Sequence, residues 1–206
     1  YGFYGGVFVD DPARAVLFAD KAMGFAAQGS CLQDALFCDW ATLDRETFEA
    51  RLAEVGPDEL ATLNTVASVW VGWMQANSDD WNAIAQLGRV QQMIERVVAL
   101  DPDYEQGTAQ LYLGVLHTLL PPLQGGKPEL GRSHFEAAIA ASEGRNLLAK
   151  TYFAKHYARL MFDQELHHEL LTEVVESDFD DPQFNLMNEL AKQEARMLLA
   201  DEADYF

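Results

Sequence analysis

Short breaks rich in proline, glycine and aspartate divide this sequence into apolar runs of helical length. The breaks are Asp10-Asp11-Pro12, Gly56-Pro57, Asp101-Pro102-Asp103, Pro121-Pro122 and Asp181-Pro182. Proline fits the first turn of a helix and aspartate stabilises the amino end, so each break can end one helix and begin the next. The runs between the breaks do not alternate with the period of 2 that is typical of strands. The sequence therefore predicts an all-α protein.

The predicted helices come in pairs that recur about every 40 residues. Pairs open near residues 102–104, 145–146 and 182, and the runs ERVVALDPDY (95–104) and FEAAIAASEGR (135–145) share one design. Neither helix of such a pair can bury its apolar face alone, so neighbouring pairs must stack. We predict antiparallel helix pairs stacked as a TPR-like superhelical array in one domain, residues 1–206. We interpret the first predicted helix, residues 11–28, as the second helix of a pair. We therefore expect the first helix of that pair to precede Tyr1.

The charge balance limits the kinds of partner. Apolar residues make up 49% of the chain, which is enough for a sizeable core, and the net charge is −19. Nucleic acids and anionic membrane surfaces require a basic footprint, so both are disfavoured. We expect protein partners to present basic surfaces and their complexes to weaken as salt rises.

Two cysteines, Cys31 and Cys38, are seven residues apart. On one continuous helix they would lie about 10 Å apart along the axis, too far for a disulfide. In a loop they could pair, and the stretch after Gly29 has weak helical signals. The sequence leaves both arrangements open.

The run GGKPELGRSHF, residues 125–135, contains the strongest apparent loop motif. A phosphate-binding P-loop needs GxxxxGK followed by Ser or Thr, after a strand. Here Pro128 follows Gly126-Lys127, and the preceding run is helical. We interpret the segment as a structural turn, in which the glycines permit positive φ and Pro128 opens the next helix.

The histidines raise the alternative of a metal-dependent helical enzyme that uses His117, His134, His156 or His167. A zinc protease motif, HExxH from His168, would need His at position 172, which is Thr. A di-iron bundle needs two ExxH runs, and Glu165-xx-His168 is the only one in the chain. Single histidines on helix faces are more often packing residues. We predict no metal, no cofactor and no catalytic site, and we place His167 and His168 on an exposed or inter-subunit face.

Aromatic and basic side chains on successive helices suggest a binding groove. Trp70 and Trp73 are three residues apart and share one side of a helix. The basic stripe Lys150, Lys155 and Arg159 could receive a carboxylate or pair with acidic neighbours. Core packing is the competing interpretation for each aromatic residue. The predicted ligand- or partner-binding residues are Trp70, Trp73, Tyr112, His117, Lys150, Tyr152, His156 and Arg159.

The second half of the chain resembles the T component of TRAP transporters, the tripartite ATP-independent periplasmic transporters. The similarity covers about residues 60–206, with a looser match in GGVFVDDPARAVLFADKAM. Its most specific parts are the GGKPE loop with its HFE continuation, the run at residues 144–159 that includes Lys155-His156-Tyr157-Ala158-Arg159, and the closing DYF.

This resemblance implies a non-catalytic periplasmic lipoprotein with TPR-like helix pairs that assembles as a homotrimer. It implies association with the substrate-binding P component and assistance in the uptake of a small hydrophobic or organic-acid ligand. Family members carry a signal peptide, a lipidated cysteine and further N-terminal helix, so anchoring is expected through a region absent from this chain. Cys31 and Cys38 lie too deep in the fold to be that anchor.

The alternative interpretation is a general TPR-like adaptor that binds peptides on its concave face and has no role in transport. Genes for a membrane permease and a binding protein beside this one would favour the transport interpretation.

Overall fold

The computed structural model describes the backbone of residues 1–206 and every side chain except that of Phe3. The chain divides into two compact units, unit 1 at Tyr1–Asp101 and unit 2 at Pro102–Phe206, and each is described by itself. Every regular element of the described residues is a helix, so the all-α prediction is confirmed. The stacking of helix pairs as a TPR-like superhelix stays a prediction, as does the assignment of residues 1–206 to one domain.

Unit 1 contains six α-helices and two short 3₁₀ turns. The α-helices are α1 (Gly2–Phe8), α2 (Pro12–Gln33), α3 (Arg45–Glu54), α4 (Leu60–Ala76), α5 (Trp81–Ala85) and α6 (Leu87–Leu100), and the 3₁₀ turns are Ala35–Phe37 and Pro57–Glu59. Helix α4 packs against α1, α2 and α6. Its buried face includes Leu63, Val66 and Trp70, so α4 is the central helix of this unit.

Aspartates cap the starts of three helices of unit 1, and the start at Asp11 is the one that the sequence analysis predicts. The side chains of Asp11, Asp44 and Asp80 accept hydrogen bonds from backbone N–H groups in the first turns of α2, α3 and α5. These N–H groups have no partner within their own helix, so an acceptor at this position stabilises the helix start. Gln86 separates α5 from α6, so residues 81–100 form two helices and not one.

Cys31 and Cys38 form a disulfide. Helix α2 continues through Cys31 to Gln33, and Asp34 then caps the 3₁₀ turn Ala35–Phe37, which brings Cys38 back. The two Cα atoms are 4.5 Å apart. The pairing that the sequence left open is therefore made across a loop and not along a helix.

Unit 2 contains seven α-helices and one π-helical segment. The α-helices are α7 (Thr108–Thr118), α8 (Pro128–Ala141), α9 (Leu147–Tyr152), α10 (Arg159–Met161), α11 (Gln164–Glu176), α12 (Asn185–Ala200) and α13 (Glu202–Tyr205). The π-helical segment Phe153–Ala158 continues α9 directly into α10, and 3₁₀ turns lie at Tyr104–Gly107 and Pro122–Gln124. Glu105 and Gln106 have positive φ, so α7 begins later than the predicted residue 104.

The core of unit 2 forms where α9 and the π-helical segment pack against α7, α8, α11 and α12. The rings of Phe135 on α8 and Phe153 stack with centroids 5.3 Å apart. Asn188 on α12 is 2% exposed; its side chain accepts from Leu147 N and donates to the Arg145 carbonyl. This buried amide fixes α12 to the start of α9, because either group would be costly to bury unpaired.

The Gly125-Gly126 segment is a structural turn, as predicted. Gly125 has φ +92°, and a Cβ at Gly126 would lie 1.6 Å from the Leu120 carbonyl oxygen. Lys127 N donates to the His117 carbonyl at 3.0 Å, and Pro128 occupies the first position of α8. The glycines are therefore required by positive φ and by close backbone approach.

Candidate functional site

Three of the predicted binding residues form a patch in unit 2, which we call the tyrosine–histidine patch: Tyr112, Tyr152 and His156. Tyr112 lies on α7, Tyr152 ends α9, and His156 lies in the π-helical segment. The rings of Tyr152 and His156 meet edge to face, with centroids 5.4 Å apart. Tyr112 is close enough to Tyr152 to act on it electrostatically. All three side chains are half-buried, so each keeps some surface for a ligand.

The π-helical segment separates the buried side chains from those of the patch. Phe153, Ala154, Tyr157 and Ala158 are buried in the core, whereas His156 stays half-buried beside Tyr152. π-helical turns are rare and occur frequently at functional sites. The widened turn is therefore a second reason to consider this patch as the candidate site.

Burial shifts the pKa values of two groups of the patch further from neutral pH, each in the direction of its uncharged form. Desolvation, with a smaller contribution from the positive charge of Lys155, lowers the pKa of His156 to about 4. Desolvation, together with Glu194 and then Tyr112, raises the pKa of Tyr152 to about 12. A neutral imidazole and a neutral phenol can both donate and accept hydrogen bonds, so the patch suits an uncharged polar or aromatic group.

The predicted basic stripe is neutralised by acidic neighbours. Lys150 pairs with Glu173 at 2.5 Å, and Lys155 pairs with Glu194 at 2.6 Å. Arg159 pairs with Asp201 at 2.9 Å. Of the two arrangements that the sequence allowed, the structure contains the pairing with acidic neighbours.

Arg159 belongs to a polar cluster that the sequence did not predict. Its Nε donates to His167 Nε2 at 3.3 Å, and its guanidinium lies 4.3 Å from the Tyr205 ring centroid. His167 Nδ1 lies 3.0 Å from one oxygen of Glu202, and His168 Nδ1 lies 2.9 Å from the other. The cluster fixes α13 to α11.

The predicted exposed position of His167 is wrong, whereas His168 is exposed as expected. His167 has a fully buried side chain, and the side chain of His168 is 62% exposed. His167 lies three or four residues before the buried Leu170 and Leu171 and seven before Val174. That spacing marks the core face of a helix and could have identified His167 as a core residue.

His117 lies outside the tyrosine–histidine patch and stacks on His134. The two rings have centroids 5.4 Å apart and are nearly parallel, and His134 Nδ1 lies 2.7 Å from Gln110 Oε1. His117 is 6% exposed. Among the described side chains, no group of three or more His, Cys, Asp or Glu is placed to hold a metal ion.

The two predicted tryptophans belong to unit 1. Trp70 is 1% exposed and lies in the core, so it offers no surface to a ligand. Trp73 is half-buried, and its Nε1 donates to Asp20 on α2 at 2.8 Å. Trp73 therefore connects α4 to α2 and keeps part of its ring accessible.

The structure thus combines an all-helical scaffold with a half-buried, uncharged patch and ion-paired surroundings. Comparison with protein families gives a match to the family described as the TRAP transporter T-component, over residues 1–206. The chain belongs to this family, and the match includes the N-terminal part, where the sequence resemblance was looser. Such components are transporter accessories and are generally non-catalytic. No curated protein matches the chain.

None of the described helices is both long enough and apolar enough to cross a bilayer.

Proposed function

We propose that this chain associates with the substrate-binding P component of a TRAP transporter and assists the uptake of a small organic ligand. Family membership supports the transport role. The observation that carries the ligand part is the tyrosine–histidine patch, in which two aromatic rings and an imidazole remain half-buried beside one another. Such amphipathic rings are suited to binding organic molecules, because they combine a large apolar area with a polar atom.

The patch favours an uncharged or hydrophobic ligand over an organic acid. The nearby cations Lys155 and Arg159 already pair with carboxylates. His156, with a pKa lowered to about 4 by burial, carries no positive charge at pH 7. A ligand carboxylate at this patch would therefore have to displace an existing ion pair.

A periplasmic location and a lipid anchor complete the proposal. The Cys31–Cys38 disulfide supports the location, since disulfides persist in oxidising compartments such as the periplasm and are rare in the cytosol. We also propose a homotrimer of TPR-like subunits. Light scattering coupled to size-exclusion chromatography would measure the mass, and a monomeric mass would contradict the trimer.

The decisive experiment measures binding of the purified chain to the P component of a TRAP transporter from the same organism, by isothermal titration calorimetry. We expect Tyr112→Ala and Trp73→Ala each to weaken binding of the P component or of its ligand at least tenfold. Tyr4→Ala is the control, because Tyr4 is an aromatic residue of α1 that is 51% exposed. It belongs neither to the tyrosine–histidine patch nor to the other predicted binding residues. Circular dichroism would verify that each variant is folded.

Equal affinities of Tyr112→Ala, Trp73→Ala and the native chain would contradict the assignment of these two residues to binding. The net charge of −19 leads us to expect weaker binding at higher salt.

Failure to bind the P component at any salt concentration, with retained binding of peptides, would favour the alternative of a general adaptor.

A further inference from the structure

Unit 1 contains an open cavity of about 310 Å³ that is lined by α3, α6 and the end of α5. Its lining combines two guanidinium groups and a carboxylate with an amide, a phenyl ring and two small residues. These residues are Arg45, Phe48, Glu49, Ala85, Gly88, Arg89 and Gln92. The cavity lies entirely in unit 1 and shares no residue with the tyrosine–histidine patch, so the two sites can be tested separately.

Arg89 provides a half-buried positive charge in this cavity. It donates to the carbonyls of Trp40 and Leu43, and its guanidinium lies 5.2 Å from the Phe48 ring centroid. None of the ion pairs among the described side chains includes Arg89. A guanidinium has five N–H donors, so two carbonyl bonds leave donors for a carboxylate.

Glu49 provides the opposite charge. Arg45 Nε donates to Glu49 Oε1 at 2.8 Å, and Gln92 Nε2 donates to the same oxygen at 3.2 Å. These hydrogen bonds, chiefly that from Arg45, lower the pKa of Glu49, so this carboxyl is ionised at neutral pH. Both hydrogen bonds use Oε1, and Oε2 can accept from a ligand.

The local charges of the cavity select the ligand class, since distant charges are screened beyond a Debye length of about 8 Å. A simple anion could bind Arg89 but would lie beside the ionised Glu49, and a simple cation could bind Glu49 but would lie beside two guanidinium groups. A molecule that carries both charges avoids both conflicts. It can place each charge against its opposite.

We propose that this cavity binds a small zwitterion of the α-amino-acid type, with its carboxylate toward Arg89 and its ammonium toward Glu49 Oε2. The side chain of the ligand lies over Ala85 and Gly88. A Cβ built at Gly88 meets no atom within 4 Å, so the surface there is open. This site is additional to the proposed transport role and does not depend on it.

The test titrates the purified chain with L-valine, isovalerate and isobutylamine by calorimetry. The second compound lacks the ammonium group of valine and the third lacks its carboxylate. We expect saturable binding of L-valine and at least tenfold weaker binding of both partial ligands. Glu49→Gln should reduce the affinity for L-valine to about that for isovalerate, because the ammonium then loses its charged partner.

Gly88→Leu should abolish binding by filling the cavity, while improving the helix propensity at that position. Gly72→Leu is the matched control, because Gly72 also lies within a helix and a Cβ there also meets no atom within 4 Å. No saturable binding of L-valine, isovalerate binding as tight as valine, or unchanged binding in Gly88→Leu would each overturn the proposal. The assay uses no P component, so its result is separate from that of the proposed function.

Discussion

The two units use their basic side chains differently. In unit 1, Arg51 and Arg89 donate to backbone carbonyls of the irregular segment at residues 38–43, and Arg96 donates to carbonyls at the end of α3, those of Ala53 and Val55. In unit 2, Lys150 and Lys155 pair with carboxylates on neighbouring helices. The difference follows from local structure, since irregular backbone leaves carbonyls that need a donor, whereas regular helices satisfy their own.

This comparison shows that a count of ion pairs does not identify the cations on which stability depends. Exposed ion pairs contribute little, because water and salt screen them. A half-buried guanidinium that satisfies two carbonyls contributes more, because its removal leaves those acceptors without a partner. We therefore expect unit 1 to depend more strongly on its arginines than unit 2 depends on its lysines.

The largest expected effect is that of Arg89→Met. Loss of the bonds to the Trp40 and Leu43 carbonyls should reduce the free energy of unfolding by about 3 kcal/mol. All four tryptophans lie at positions 40, 70, 73 and 81, within unit 1, so urea unfolding followed by tryptophan fluorescence reports on this unit. Arg45→Met is the control, because the Arg45 side chain is 85% exposed. An equal loss in both variants would remove the distinction between the two kinds of cation.

Reduction of the Cys31–Cys38 disulfide should have the next largest effect. The cross-link closes a short loop and restricts the unfolded chain, which predicts a loss of about 2–3 kcal/mol when it is reduced. The same tryptophan transition would measure it, because Trp40 lies close to Cys38 in sequence and stacks on Phe37. The double variant Cys31→Ser/Cys38→Ser should have the reduced stability with or without reductant. A native chain whose midpoint does not respond to reductant would contradict this account.

Helix starts could be predicted because they depend on local chemistry. Asp11 accepts backbone hydrogen bonds at the start of the helix that the Asp10-Asp11-Pro12 break predicts, and Asp80 and Asp163 do the same at the starts of α5 and α11. The Gly125-Gly126 turn could be predicted for the same reason, since positive φ and a proline at the helix start are properties of a few adjacent residues. The patch was partly predictable, because Tyr112, Tyr152 and His156 are aromatic or imidazole residues on adjacent helices.

Features that depend on distant contacts could not be predicted. The π-helical segment Phe153–Ala158 packs against α8 and α11, and no local motif indicates it. The pairing of Lys155 with Glu194 joins residues 39 positions apart. Arg89 also contacts carbonyls far along the chain, and a single sequence shows neither the donor nor the acceptor as special.

His156 should make the stability of unit 2 depend on pH. Its pKa is about 4 in the folded chain, against 6.5 for an unperturbed histidine side chain, so the unfolded state binds the proton first as pH falls. The free energy of unfolding should therefore fall by about 2 kcal/mol as the pH decreases from about 6.5 to about 4. Each pKa unit corresponds to about 1.4 kcal/mol, and the partial solvation of the ring reduces the total. Urea unfolding followed by circular dichroism would compare the native chain with His156→Leu. If the free energies of unfolding of the native chain and of His156→Leu change with pH in the same way, the neutral, half-buried imidazole is contradicted.

The smallest expected effect is that of the Lys155–Glu194 pair, and it tests the comparison most directly. The two side chains are 42% and 24% exposed, so solvent screening should limit the coupling to about 0.5 kcal/mol. A double-mutant cycle with Lys155→Met and Glu194→Gln, measured by urea unfolding at low and high salt, isolates this coupling from the separate loss of each side chain. Salt should reduce the coupling further, because both charges reach solvent. A coupling as large as the Arg89→Met effect would mean that ion pairs with carboxylates stabilise unit 2 as much as hydrogen bonds to carbonyls stabilise unit 1. The two units would then differ in the partners of their basic side chains but not in how much those side chains stabilise them.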